Sequence, residues 1–535
     1  MTQWTPAALF DALAASGAWP VLRTGLQFAF FLSVARILTL MVELRKPTEL
    51  RHLARIKKHS RIPVMALILL FAAVLVYQAT WQLTGVFRPE FIAFMQSHDR
   101  RQFNPAHRIL RGRILDRRGE VLAYSRESGE RVQRLYPYGP AFAHAVGYNH
   151  PKFGAAGIEA AATVHLNGGE TASLPAWGEL GRQLLTSDRR PRGQDLVLTL
   201  DTELQLTAIR LLGGHRGAVF LMRSDNGAVL VLASTPSYDP NRITPGLFQG
   251  TDPSAPLLNR ATQGLYPPGS SFKIVTAALA LELGFTGTLP CPADGYATSA
   301  HYRKIRDHEF YTARSNGEVW NGHGDLDLST ALAKSSNVFF AQLGVRYGEE
   351  AFRRNVGRFL FDGQINLYDS PHGTWSMKTG RIPRLASSDK YGLAQVSMGQ
   401  GKLLVTPAHM ALIAASVANG GSAPKPRLVE TDAPTQLARF MPTGTAEELA
   451  RMMRRVVTEG TARGIDVPKL AVAGKTGTAQ NPRGTPHSWF VGFAPAQRPT
   501  VSVAVLVEHG GYGSRIAAPI ARDLLLRALD LGLLQ

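Results

Sequence analysis

Residues 266–284 read YPPGSSFKIVTAALALELG, and the fold turns on how this stretch is read. Pro267, Pro268 and Gly269 stop regular structure, so Ser270 opens an apolar helix that closes near Gly284. Ser270 and Lys273 stand three apart on one helical face, close enough for the amine to take the hydroxyl proton. A lysine does this only when it is neutral. Phe272, Ile274, Val275, Ala277 and Ala278 supply desolvation, and a second cation nearby would act in the same direction, since both disfavour the charged amine. A helix N-terminus at the serine also favours developing negative charge. Taken alone, the four residues read first as an N-cap serine followed by a solvated lysine.

Two further motifs change that balance. Lys334-Ser335-Ser336-Asn337 precedes VFFAQLG at the start of another apolar helix, and Lys475-Thr476-Gly477-Thr478 lies on a strand bounded by Asn481-Pro482. Singly, Ser-x-Asn is a capping pattern and Lys-Thr-Gly a strand end. Together they follow Ser270 in order, at gaps of 65 and 140 residues, enough for a helical subdomain and a return to a sheet.

The sheet is legible on both sides of this region. DLVLTL from Asp195 is a short strand, TELQLTAIRLLG an amphipathic helix ending at Gly213, and GAVFLMRSDNGAVLVLAS two strands around the turn Asp225-Asn226-Gly227. Near the end, LAVAGKTGTAQ, HSWFVGFAP and VSVAVLVEHG read as three consecutive strands, and Ala518 to Leu531 as a helix. Strands at both ends with helices between them imply an antiparallel sheet built from distant parts of the chain, an α+β arrangement.

Upstream, Asp116-Arg117-Arg118-Gly119 within ILRGRILDRRGEVLAYS forms a hairpin turn between Arg113–Leu115 and Glu120–Ala123. RLYPYGPAFAHAVGY and GAAGIEAA then suggest a small irregular module, ending in a linker at Arg189 to Gly193. Farther upstream, PVMALILLFAAVLVYQATW from Pro63 to Trp81 carries no charge over roughly 20 residues, the length of a membrane-spanning helix. Arg51, Arg55, Lys57, Lys58 and Arg61 precede it, which puts residues 1–60 in the cytoplasm and everything after 85 outside. Thr24 to Val42 is apolar but interrupted by Arg36, and reads as an interfacial or partner-docking helix. No cleavable signal sequence is seen at the start. The expected divisions are residues 1–62, cytoplasmic or interfacial; 63–84, transmembrane; 85–194, a small pedestal; and 195–535, the catalytic domain.

The chain has 535 residues and a net charge of +19, which suits anionic partners or simply an arginine-rich proteome. No nucleic-acid module or zinc spacing is present, and the single cysteine, Cys291, excludes an intrachain disulfide. His301, His308 and His323 are irregularly spaced, as loop histidines are, so neither metal nor cofactor is expected.

The ordered triplet resembles that of the penicillin-binding proteins and serine β-lactamases. More of the chain is similar to the monofunctional, class B penicillin-binding proteins: RGRILDRRGEVLA to their pedestal hairpin, and LTLDTELQ, GAVLVLASTPSYDPN, the Gly-Gln-Gly around Gln400, TPAHMALIAASVANGG and WFVGFAP to their transpeptidase domain. The resemblance covers roughly residues 105–531. It implies a penicillin-binding transpeptidase fold and a peptidoglycan D,D-transpeptidase that β-lactams inhibit covalently. Ser270 would attack the penultimate D-Ala carbonyl of a stem peptide with Lys273 as base. Ser335 would relay a proton to the leaving nitrogen, and Asn337 would hold the substrate amide and Lys273. Lys475 would add positive charge, with Thr476 and Thr478 receiving the terminal carboxylate. Backbone N–H groups of Ser270 and Thr478 would form the oxyanion hole, and Gly477 would leave room for a pairing peptide. A membrane glycan polymerase is the expected partner. Ser-Ser-Asn in place of Ser-Asp-Asn, with no Glu-x-x-Leu-Asn after it, favours peptide transfer over drug hydrolysis. A D,D-carboxypeptidase or β-lactamase, and a noncatalytic β-lactam sensor or scaffold, remain the alternatives.

Overall fold

The computed structural model describes residues 110–128, 131–169, 192–481 and 484–534, with isolated helical positions at Arg36, Leu67, Leu70, Phe71, Ala73, Val74 and Tyr77. The chain divides into two units, Met1–Asp99 and Arg100–Gln535. In the first, most of Pro63–Trp81 and all of Thr24–Val42 except Arg36 lie outside the described residues; in the second, most of the expected linker at 189–193 does too. Among the described residues no helix is long and apolar enough to cross a membrane.

The second unit begins with the pedestal. Strand β1 (Ile114–Leu115) pairs antiparallel with β2 (Val121–Ser128), β2 with β3 (Arg131–Leu135), and β1 takes a parallel partner, β4 (Leu196–Val197). The predicted turn is closed by its own aspartate: one oxygen of Asp116 accepts the amides of Arg118 (2.8 Å) and Glu120 (2.9 Å). The other oxygen accepts the amide of Thr202 (3.0 Å), the first residue of helix α2 (Thr202–Leu212), while Arg118 pairs with Asp201, the N-cap of α2 (3.0 Å). This exchange fastens the hairpin to the catalytic domain. Beneath the sheet, Glu159 on the short helix α1 (Gly157–Ala161) is fully buried and bonded by Arg111 (2.6 Å) and Arg134 (2.7 Å). Burial alone would raise the pKa of Glu159, but the charges and hydrogen bonds of Arg134 and Arg111 hold it below the ordinary carboxylate value.

The catalytic domain is built on a five-stranded antiparallel sheet. Its strands are β5 (Gly217–Arg223), β6 (Val229–Thr235), β7 (Ala473–Ala479), β8 (His487–Ala494) and β9 (Val501–Val507), in the order β7-β8-β9-β5-β6. Every residue of β8 and β9 is buried, so both faces of the sheet are covered. Helices α7 (Pro407–Ala418) and α8 (Thr443–Thr458) pack on it, and so do α2 and the C-terminal helix α9 (Ala517–Asp530). The helical region between the two strand groups carries α3 (Lys273–Glu282), α4 (His308–Asn316), α5 (Leu328–Lys334) and α6 (Asn337–Gly357). The α+β arrangement read from the sequence is the one observed.

Candidate active site

Ser270 lies not within the α-helix, as its spacing predicts, but on a 3-10 turn, Gly269–Phe272, that leads into α3. The difference suits the pair, because three residues per turn brings positions i and i+3 into line. Gly269 has φ +55°, and a Cβ there would come 2.7 Å from the carbonyl oxygen of Thr478, so glycine is needed where the turn crosses β7. The indole of Trp489 donates to Pro267 O (3.0 Å), which pins the turn to the sheet, and the Ser271 hydroxyl donates to Pro268 O (2.8 Å), which closes the turn on itself. Ser270 is half-buried, while Ser271 and Phe272 are fully buried.

Gly477 lies against the same turn. A Cβ there would lie 2.8 Å from Pro268 O, 2.9 Å from Cβ of Trp489 and 3.1 Å from the amide nitrogen of Ser271. Glycine is therefore required by the nucleophile turn packed against the strand.

Two lysines are completely buried beside Ser335. Lys273 donates to the carbonyl oxygen of Ser335 (2.6 Å) and to Oδ1 of Asn337 (2.8 Å), and lies 3.5 Å from the Ser335 hydroxyl. Lys475 donates to that same hydroxyl (2.8 Å) and to Thr476 O (3.2 Å). Burial lowers the pKa of Lys273 to about 7, against the opposing charges of Asp307 and Glu309. Burial, then repulsion from Lys273, holds Lys475 well below the ordinary lysine value. A neutral amine has two N–H groups and one lone pair. The carbonyl of Ser335 and the amide oxygen of Asn337 satisfy both donors of Lys273, leaving its lone pair to accept a proton. Ser270 and Lys273 make no hydrogen bond to each other in this structure; one turn of helix holds them in line.

Ser335 and Ser336 are the two residues between α5 and α6, and Ser335 adopts a left-handed conformation (φ 62°, ψ 33°). That geometry sends its carbonyl to one lysine and its hydroxyl to the other. Ser336 caps α6 through Phe339 N (3.1 Å), and Asn337 is anchored through Nδ2 to Arg306 O (3.1 Å). Asp307 was not singled out from the sequence, yet it accepts from Ser336 Oγ (3.0 Å) and from the amides of Asn337 and Val338. It stands far upstream of the motif in a segment without periodicity, so no local signal marks it.

On β7, the Thr476 hydroxyl pairs with that of Thr461 (2.7 Å), while Thr478 is half-buried and accepts from Gly513 N (3.4 Å). The crossing at Gly269 brings the backbone of Ser270 beside that of Thr478. Behind the turn, Glu508 collects Arg260 (2.7 Å), Arg216 (2.9 Å) and the Tyr266 hydroxyl (2.8 Å). Of the three histidines, His323 lies 3.6 Å from Glu309 and 3.9 Å from Asp307, and His308 packs edge-on against Tyr512. Among the described residues no group of three or more side chains gathers in a way that could hold a metal ion.

Comparison with known proteins agrees with this geometry. The penicillin binding protein transpeptidase domain matches residues 217–526, and the penicillin binding protein A dimerisation domain matches residues 111–194. Peptidoglycan D,D-transpeptidase PbpA of Mycobacterium tuberculosis is 32% identical over 450 residues, covering 77% of this chain and 88% of its own. Peptidoglycan D,D-transpeptidase MrdA of Acinetobacter baumannii is 30% identical over 457 residues, covering 73% of this chain and 65% of its own. Among solved structures, the ceftriaxone acyl-enzyme complex of penicillin-binding protein A from M. tuberculosis superposes with a TM-score of 0.69 at 30% identity, over 79% of this chain and 98% of that one. Pseudomonas aeruginosa PBP2 gives a TM-score of 0.64 at 29% identity, over 78% and 95%. With a transpeptidase model matched across more than half of its length, and relatives alike over about three quarters of it, this chain belongs to the class B penicillin-binding proteins.

Proposed function

We infer that this class B penicillin-binding protein is a serine-type peptidoglycan D,D-transpeptidase that carries the donor stem peptide as an ester on Ser270. The observation that carries this reading is the pair of fully buried amines meeting at the Ser335 hydroxyl.

The Ser270 hydroxyl attacks the carbonyl of the penultimate D-Ala, and its proton passes to Lys273, which burial keeps ready to accept it. Backbone amides of Ser270 and Thr478 receive the oxyanion. Ser335, bonded to Lys475 and close to Lys273, relays the proton to the departing D-Ala nitrogen; the C–N bond breaks and the ester remains. An acceptor amine then attacks the ester, gives its proton back through the same base, and Ser270 leaves as the hydroxyl. Asn337 aligns Lys273 and the substrate amide. Thr476 and Thr478 receive the terminal carboxylate, whose negative charge favours the protonated form of Lys475. A β-lactam follows the first half of this path, but its leaving nitrogen stays tethered, so the ester persists.

The arginine and lysine cluster before residue 63 supports a catalytic domain on the outer face of a bacterial cytoplasmic membrane. Exposed apolar side chains at the helical positions Leu70 (63%) and Phe71 (51%) support an anchor at 63–84. Residues 85–194 then act as the pedestal and 195–535 as the catalytic domain. In that setting the partner is a membrane glycan polymerase of the shape or division type, which supplies the strands to be cross-linked.

The test is covalent labelling of the full-length protein, in detergent, with a fluorescent penicillin. A stable labelled band is expected in the parent and none in Ser270→Ala; an unlabelled parent sinks the reading. Offering a stem pentapeptide with and without a D-amino acid then separates peptide transfer from hydrolysis.

A further inference from the structure

Resting on the transpeptidase reading, we propose that Asp307 is a positioning residue for this reaction, whose carboxylate sets the geometry of Ser335 and Asn337 by capping a helix that is not its own. Asp307 occupies the N-cap position of α4, where an aspartate ordinarily accepts amides of the following turn, yet its side chain makes no such bond. It turns instead to the N-terminus of α6, roughly 30 residues along the chain. There it accepts the Ser336 hydroxyl (3.0 Å) and the amides of Asn337 and Val338, of which the latter lies at 3.1 Å. A carboxylate at a helix N-terminus is favoured by the exposed amides and the helix dipole.

The neighbouring residue completes a clamp. Arg306 O accepts Nδ2 of Asn337 (3.1 Å), so the pair Arg306-Asp307 holds Asn337 by its side chain and its backbone together. With Nδ2 fixed, Oδ1 of Asn337 is aimed at Lys273 (2.8 Å). With the start of α6 fixed, Ser335 is held left-handed, its carbonyl on Lys273 (2.6 Å) and its hydroxyl on Lys475 (2.8 Å). Asp307 is 3% exposed and touches neither lysine through a hydrogen bond, so it acts through the turn.

Its charge acts in a second way. Asp307, followed by Glu309, opposes the desolvation that lowers the pKa of Lys273. The other titratable groups around this point are Lys475, the imidazole of His323 beside both carboxylates, His308 near Glu309, and Cys291 against Ser336 (3.7 Å), whose thiol burial raises to about 11.

Two substitutions separate shape from charge. In Asp307→Asn, Oδ1 still accepts the two amides and Nδ2 can donate to Ser336 Oγ, so the turn keeps its form and loses its charge. Asp307→Ala loses both. The measurement is the second-order rate of labelling by fluorescent penicillin from pH 5 to 9, on full-length protein, with thermal melting of each variant. Asp307→Ala is expected to react on the order of 100-fold more slowly, since a misplaced catalytic group loses about that much. Asp307→Asn is expected to stay within about tenfold of the parent at high pH, with its acid limb moved to lower pH by about one unit, because Lys273 has lost a neighbouring negative charge. A labelled parent with Asp307→Ala equally fast overturns the proposal. So do two equally slow variants whose acid limb matches the parent's, the pattern of a purely structural role. A parent that takes no label overturns instead the transpeptidase reading beneath it.

Discussion

The pedestal and the catalytic site both bury charge completely, and they resolve it in opposite ways. Glu159 sits between two guanidinium groups, and their attraction outweighs the loss of solvent, so its pKa falls and it stays ionised. Lys273 and Lys475 have three neutral oxygen acceptors and one hydroxyl as hydrogen-bond partners and no carboxylate among them, so solvent loss wins and both amines are pushed toward neutrality. Compensated burial gives a joint; uncompensated burial of like charges gives a base. The same element of physics thus divides the chain into a part that holds and a part that reacts.

The division is open to attack from several sides. Lys273→Ala should slow acylation by fluorescent penicillin by about 10²–10⁴-fold, the range of a lost general base. A smaller loss would mean that a solvent molecule substitutes for the amine. Glu159→Ala leaves Arg111 and Arg134 buried without their carboxylate, and should cost about 3–5 kcal/mol in urea unfolding. Its folded fraction should acylate within about threefold of the parent; a drop as large as that of Lys273→Ala would join the two regions mechanically. The mildest probe is pH. Because the pKa of Lys273 lies at about 7, acylation should fall by about tenfold for each unit below that point as the base becomes protonated. Glu159 works with the opposite sign. Its folded pKa is depressed, so its stabilisation is present above the ordinary carboxylate value and lost as pH falls through that value toward the folded one. The stability gap between parent and Glu159→Ala should therefore persist from pH 7 to about 5 and close only below about 4.5.

What was legible in the sequence was local. Ser270 with Lys273, the Ser335–Asn337 junction and the Lys475–Thr478 strand each announce themselves within a few residues. The apolar run Val501–Val507 reads as a strand because it is buried on both faces. What was not legible is pairing across the chain. The bond from Trp489 to Pro267 spans 222 residues, that from Arg111 to Glu159 spans 48, and Asp307 caps a helix 30 residues away from itself. No period or propensity records such partners. Ser270 falls in a 3-10 turn because Pro267, Pro268 and Gly269 shape its entry, a detail finer than helical spacing resolves. The contact of Gly477 with the nucleophile turn is hidden for the same reason: the turn comes from a segment some 200 residues earlier in the chain, as the Trp489–Pro267 bond also does.

Strand β7 ends its sheet. At the opposite border, β6 is partly closed by Arg427, which accepts the amide of Val229 (3.0 Å) and bridges to Ala228. No described strand lies outside β7. An open border of this sort ordinarily invites aggregation; here the turn at Pro268–Ser271 packs on Gly477, and Gly513 packs over Gly477 and Trp489. A border without a described strand partner is one to which an extended chain can add itself as one more strand. A guest read in this manner is recognised by main-chain amides and carbonyls, which every residue possesses. Replacing side chains along that border would alter its surroundings far more readily than the template itself, so escape from a mimic of the guest is expected to come from positions around the strand.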